Sequence, residues 1–364
     1  MDESAYPSFD GAEPFDAVRR QLEARTASGL AGGLRFTFTD PARSTDIGRS
    51  FPWARRLLVA AWPYAAAAGA PGPVRAGTGR VARFAAGDHY AGLKRALQEA
   101  AAVLRDAGHR AEILVDDSRL VDRAAAVRAG VGWWGKNTMV LAPGHGPWLL
   151  LGSIVTDAEL RASEPMVRDC GTCDACLPAC PTGALVAPGI LDARRCLACW
   201  AQMPGVIPPE IREAMGDRIY GCDDCLDACP PGTRAAFGPD VAVGGRHHVV
   251  ALLGESDRTL LDRFGHFYIP RRRARFLRRN LLIVLGNTGG AAARPVAAAY
   301  SAHRDWLLRA HAVWAVGRLG GPWARNVLQR RLGRKKLSAK ILREAPVILM
   351  AYDLLEADGR DIRT

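Results

Sequence analysis

The chain has 364 residues, 49% of them hydrophobic and 24% charged, a balance that excludes a disordered chain and allows two or three folded domains. Its formal net charge of +12 points to an anionic partner. The start, "MDESAYPSFDGAEPFDAVRR", is acidic and polar and carries no secretory pattern. The most apolar stretch, Leu57 to Val74, is broken by Pro63, Pro71 and Pro73, which makes it a poor membrane span. A cytoplasmic protein without a membrane segment is therefore expected. In that compartment thiols stay reduced, so the nine cysteines read as ligands rather than disulfides.

In chain order, "RRLLVAAW" (55–62) and "RAEILVDD" (110–117) read as buried strands. Between them "YAGLKRALQEAAAVLRDAG" (90–108) has helical periodicity and a glycine stop. "PWLLLGSIVTD" (147–157) is a further apolar run of strand length. Strands alternating with a helix predict an α/β domain over residues 1–165 with a mostly parallel sheet, whose ligands sit beyond the strand C-termini. Asp116 and Asp117 fall at such an end. "RAGVGWWGKNTMVL" (128–141) then combines glycines, two tryptophans and Lys136 in one loop. That combination suits a large flat cofactor or an anionic group. No dinucleotide fingerprint or P-loop is present.

"CGTCDACLPACP" (170–181) places four cysteines at the C-x2-C-x2-C-x3-C-P spacing of bacterial ferredoxins. Three such thiolates hold one [4Fe-4S] cluster and the fourth crosses to a second. Cys173, Cys176 and Cys180 recur 49 residues on as Cys222, Cys225 and Cys229, and Pro181 recurs as Pro230. Two structural zinc sites would have no use for four cysteines in so short a run followed by proline. The crossing rule gives cluster one Cys170, Cys173, Cys176 and Cys229. Cluster two takes Cys180, Cys222, Cys225 and either Cys196 or Cys199 from "DARRCLACW". A double-cluster, bacterial-ferredoxin-like segment is expected over 166–240, passing low-potential electrons singly.

From 241 to 364 the chain reads as helical. Arg271 to Lys340 holds 17 Lys or Arg against one acid, Asp305. "RRNLLIVLGNTGG" and "RAHAVWAVGRLGG" match at an offset of 31, down to Gly286 and Gly317, which predicts a short HEAT-like array. A basic helical array is an electrostatic footprint for nucleic acid, and with no base-reading module in the sequence it fits a structured RNA bound by shape and backbone.

Taken together, "AGVGWWGKNT", the two cysteine runs with "LDARRC" and "GDRIYGCDDCLDACP", and the glycine-marked tail resemble the epoxyqueuosine reductases of tRNA modification, over roughly residues 35 to 330. The resemblance implies a cobalamin-dependent reduction of the epoxide on a modified wobble base to the alkene of queuosine. The partners it implies are the anticodon stem-loop of tRNA carrying epoxyqueuosine and an external low-potential electron donor, with the enzyme a monomer. "VDDSRLVDR" matches the family's "VD-x-x-x-L-x-D-R", which puts Asp116 on the proposed proton donor. The resemblance also implies cobalamin contacts from Arg43, Trp134, Lys136, Asn137 and Thr138. It puts the last cluster-two ligand at Cys196 and leaves Cys199 spare. The chain departs from the family at "CPPGTR", "CLACWAQ" and "GDHYAGLK", all near cofactor or substrate. Two other readings remain at this level: a cobalamin and iron–sulfur reductase of another substrate, akin to reductive dehalogenases, and an iron–sulfur carrier with a nucleic-acid-binding tail.

Overall fold

The computed structural model describes residues 15–64, 73–234, 246–290, 292–332, 356–357 and 360–361. The chain forms two compact units, one of residues 1–72, 81–203 and 220–245, the other of 73–80, 204–219 and 246–364. The cysteine segment belongs to the same unit as the strands that precede it. The last basic residues of the tail, Arg334 to Lys340, lie outside the described residues.

In the first unit, helix α1 (Asp16–Ala27) precedes strand β1 (Arg56–Pro63), helix α2 (His89–Asp106), strand β2 (Ala111–Leu114), helix α3 (Asp122–Arg128) and strand β3 (Leu149–Thr156). Each predicted strand and the predicted helix form within a few residues of their expected bounds. The parallel sheet does not. The order is β1-β3-β2, and β3 runs antiparallel to both neighbours, with Arg56 opposite Thr156 and Ala111 also opposite Thr156. The reason lies in β3. A near-continuous apolar run marks a strand covered on both faces, whatever the direction of its neighbours.

Both faces are indeed covered. Leu150 and Ile154 pack with Leu93, Leu97 and Ala101 of α2. On the opposite face, Val155 packs with Val18 and Leu22 of α1 and Ala124 and Ala125 of α3. Side chains alternate across a strand, so one eight-residue segment serves two helical layers. Asp88 caps α2 by accepting from the Ala91 backbone N–H at 3.0 Å.

The cysteine segment is anchored to this scaffold by polar ties. Asp223 accepts from the Arg83 backbone N–H at 2.8 Å, Arg83 pairs with Asp227 at 2.5 Å, and Trp148 Nε1 donates to Gly232 O at 3.1 Å. Gly146, with φ +59°, lets the chain pass so close that a Cβ there would meet Gly232 N at 2.6 Å.

In the second unit, helices α4 (Ala274–Thr288), α5 (Ala293–Ser301), α6 (Trp306–Leu319) and α7 (Gly321–Leu332) follow one another. The sequence repeat has a physical counterpart: α4 ends at Gly289 with φ +66° and α6 at Gly320 with φ +62°. At Gly286 a Cβ would lie 2.9 Å from Trp314 and 3.0 Å from Ala315 Cα, so this glycine is what lets α4 and α6 approach closely. Residues Leu277 to Gly286 of α4 are all buried, as befits a helix surrounded by others.

The arginines of this unit do not all face water. Arg278 donates to Asp257, Leu253 O, Glu255 O and Tyr300 Oη, and Arg279, with no exposed surface, donates to Asn280 Oδ1 and Gly205 O. Arg275 pairs with Asp305 at 2.9 Å. The +16 read from the sequence therefore overstates the charge available to a phosphate backbone. Arg271, Arg273, Arg294, Arg304, Arg318 and Arg325 remain exposed.

Candidate active site and cluster thiols

The cysteines separate into two sets. Burial pushes the Cys229 thiol up to about 11, with Cys170, Cys176 and Cys173 beside it adding to the shift, and Cys176 is raised by burial and then by Cys170 and Cys173. Cys225 is pushed well up by burial, then by Cys222, Cys196 and Cys180. Cys229 of the second run thus lies in the fields of the first run, and Cys225 in those of Cys180 and of Cys176 as well. Among the described residues no three His, Cys, Asp or Glu side chains gather closely enough for a single metal ion.

Cys196 belongs to the second set. It is the N-cap of the helical turn Leu197–Gln202. Its sulfur accepts from the Cys199 thiol and from the backbone N–H groups of Cys199 and Ala198, which together hold its pKa down at about 6 against the effect of burial. Cys199, as donor in that bond and buried, is raised instead. The backbone N–H groups at this helix start lower the Cys196 thiol, while Cys196 and burial raise Cys199.

The GKNT loop sits behind these thiols. Lys136 Nζ donates to Gly171 O at 2.7 Å, and the Lys136 carbonyl accepts from Gly189 N at 2.9 Å. Asn137 is buried, donating to Cys225 O at 3.4 Å and accepting from Met139 N at 3.1 Å. Thr138 takes a left-handed φ of +68° to close the turn on Gly135. Trp134, half-buried, pairs with Val140 across a two-stranded ribbon and packs beside Val127. Both Lys136 and Asn137 thus spend their polar atoms on the backbone around the cysteines.

Asp116 and Asp117 follow β2, and their roles divide. Asp117 accepts two bonds from Arg119, at 2.9 and 2.7 Å, which hold its carboxyl below the usual range. Arg43, exposed and bonded through Nε to Ser50 Oγ at 3.1 Å, adds to that lowering. Among the described residues no hydrogen bond or ion pair holds Asp116, whose backbone is left-handed at φ +52°. The residue is exposed, yet enough protein crowds its carboxyl for partial burial to raise its pKa, with Lys94 opposing and Asp117 assisting. A strained, unpaired carboxyl at a strand end has the features of a functional acid.

The sequence reading overlooked its neighbours. Asp122, at the start of α3, is pushed up to about 7 by burial first and then by Asp116, with Arg123 opposing. Its Oδ1 is buried and has no hydrogen-bond partner. Tyr90 of α2 is raised by burial, Asp116 and Asp122. Arg123 lies in the fields of Tyr90, Asp122, Cys196 and Cys199 alike. One cation therefore joins the acid group to the second thiol set. Asp122 and Arg123 stand inside the stretch "VDDSRLVDR", so the motif held the signal; only the burial of Asp122 Oδ1 was hidden.

The two cysteine runs define the chain as an iron–sulfur oxidoreductase. Residues 169–232 match the family model of the 4Fe-4S double cluster binding domain. An epoxyqueuosine reductase of Staphylococcus aureus is 32% identical over 333 residues, covering 88% of this chain and 86% of the relative. One from Gloeobacter violaceus is 39% identical over 198 residues, 54% of this chain and 60% of the relative. The crystal structure of an epoxyqueuosine reductase with an epoxyqueuosine-modified tRNA-Tyr stem loop superposes with a TM-score of 0.83 at 28% identity, covering 95% of this chain and 94% of that one. A Bacillus subtilis structure, with a catalytic aspartate loop swung out of the active site, gives 0.81 at 28% identity, covering 94% of each chain. The chain belongs to the epoxyqueuosine reductase family.

Proposed function

We propose that this chain reduces epoxyqueuosine to queuosine at the wobble position of tRNA. The observation that carries the reading is the sharing of Arg123 between the second thiol set and the acid group around Asp116. It supports an electron supply and a proton supply that share one electrostatic environment. The reaction consumes two electrons and two protons, opens the epoxide to an alkene and releases its oxygen as water. Two [4Fe-4S] clusters, held by Cys170, Cys173, Cys176 and Cys229 and by Cys180, Cys196, Cys222 and Cys225, deliver the electrons one at a time from an external low-potential donor.

A cobalamin suits these residues in their chemistry: thiols that would hold electron-supplying clusters, and an acid, Asp116, that no hydrogen bond or ion pair among the described residues holds. When bound, it supplies a reduced metal centre able to act on the epoxide carbon. Arg43, Trp134, Lys136, Asn137 and Thr138 would help to hold it. Asp116 protonates the departing oxygen, and burial raises its pKa in the direction that a proton donor needs.

We assign the residues as a catalytic domain (1–165), a ferredoxin-like double-cluster segment (166–240) and a HEAT-like tail (241–364). The tail's exposed arginines would dock the anticodon stem-loop, and the enzyme would act as a monomer. Among the described residues no helix is long and apolar enough to cross a membrane. An anaerobic assay with reconstituted clusters, cobalamin, a strong reductant and epoxyqueuosine-containing tRNA tests the proposal by mass analysis of the nucleosides. Loss of one oxygen from the modified base is expected, and an unchanged base overturns the reading.

A further inference from the structure

Reduction of the epoxide needs two protons, and a single carboxyl delivers one. The site holds a second carboxyl that no structural role accounts for. Asp122 Oδ1 is the one carboxylate oxygen among the buried, unpartnered side-chain atoms of the described residues. Buried polar atoms are otherwise paired, because leaving one bare costs roughly 1–3 kcal/mol. An orphaned carboxylate oxygen beside a functional acid is a position kept at a cost.

We propose that Asp122 is a proton-supplying residue that acts through Asp116, so that the two carboxyls together furnish both protons of each turnover. This rests on the proposed reduction of epoxyqueuosine. Asp116 gives its proton to the epoxide oxygen as the carbon–oxygen bond breaks and is left as carboxylate. The Asp122 carboxyl then passes its proton to Asp116, which delivers it to the same oxygen as water leaves. Both carboxylates recover protons from solvent before the next turnover. The electrons come from the clusters, so the transfer between the carboxyls requires no further reactant.

The groups facing the pair suit this exchange. On α2, Tyr90 is kept protonated by burial and by the fields of both carboxyls, and Lys94 favours the ionised form of Asp116. On the loop, Asp117 is already ionised by Arg119 and repels a second charge at either site. On α3, Arg123 draws Asp122 toward ionisation without pairing it. Arg25 of α1 lies in the field of Arg123 and adds positive charge from that side. Asp122, pushed up to about 7, therefore keeps its proton in about half of the molecules at neutral pH, whereas a surface aspartate would be ionised.

The test pairs a titration with a rate profile. Infrared titration of the purified protein should show a protonated aspartate band that fades with a midpoint near 7, vanishes in Asp122→Asn and moves to lower pH in Asp116→Asn. In the tRNA assay the wild-type rate should fall as pH rises through that midpoint. Asp122→Asn should lose that limb and about 10²-fold in kcat with KM for tRNA unchanged. Asp122→Glu should restore the limb. Absence of the band near pH 6, or an Asp122→Asn profile identical to wild type, overturns this proposal alone. Wild-type protein that leaves epoxyqueuosine unreduced overturns the functional reading and the proton path with it.

Discussion

Buried charge is treated in opposite ways in the two units. In the second, Arg278 and Arg279 are withdrawn from water but donate to carbonyls, carboxylate, amide and hydroxyl around them. Burial, with Arg212 and Arg275 adding to it, lowers Arg279 to about 9, yet its bonds keep it useful as a tie within the helical layer. In the first unit, Asp122 is buried with one oxygen bare, and Asp116 stands unpaired on a strained backbone. The difference separates architecture from chemistry: a satisfied buried charge holds the fold, and an unsatisfied one is kept for a reaction.

The comparison can be broken most readily at the thiols. Cys196→Ser should remove one of the two clusters, lowering iron from about eight to about four per chain, whereas Cys199→Ser should keep both. Iron content and electron paramagnetic resonance of the reconstituted proteins decide between them; equal loss in both variants would make Cys199 a ligand. Next in size, Arg279→Met should cost about 3 kcal/mol in denaturant unfolding, because Asn280 and Gly205 lose their donor. Its rate per folded molecule should stay at the wild-type level.

Asp122→Asn should do the reverse. The folded pKa of Asp122 is raised, so its contribution to stability is complete below the unfolded value near 3.8 and is lost as pH rises through about 7. The variant should therefore match wild type at pH 4 and exceed it by roughly 1–2 kcal/mol at pH 8. Thermal melts across that range read the crossover. A variant less stable than wild type at pH 8 would make Asp122 an architectural residue. The smallest effect belongs to the tail. Arg304→Ala should lower the slope of log affinity for tRNA against log salt by about 1, and Arg279→Met should leave the slope unchanged.

How much of this was legible in the sequence follows from the range of each interaction. The thiol grouping could be read because ligand spacing is local, and the partial copy at Cys222 supplied the crossing partner. The strands and α2 could be read from their periodicity. The direction of β3 could not, since an apolar strand covered on both faces reads the same beside parallel or antiparallel neighbours. Arg278 and Arg279 read as surface charge because the groups that satisfy them, such as Leu253, Tyr300 and Gly205, are distant in sequence. Asp122 was visible as a letter of "VDDSRLVDR" but not as a buried acid, since its burial depends on the packing of α3 against the sheet.

The most direct test of the account is the rate of epoxyqueuosine loss per eight-iron protein, measured anaerobically for wild type and Asp116→Asn side by side. The account predicts conversion by wild type and a loss of at least about 10²-fold in the variant, with iron content and tRNA affinity unchanged. Conversion by Asp116→Asn at the wild-type rate would contradict it, and the unpaired carboxyl after β2 would then have no part in the chemistry.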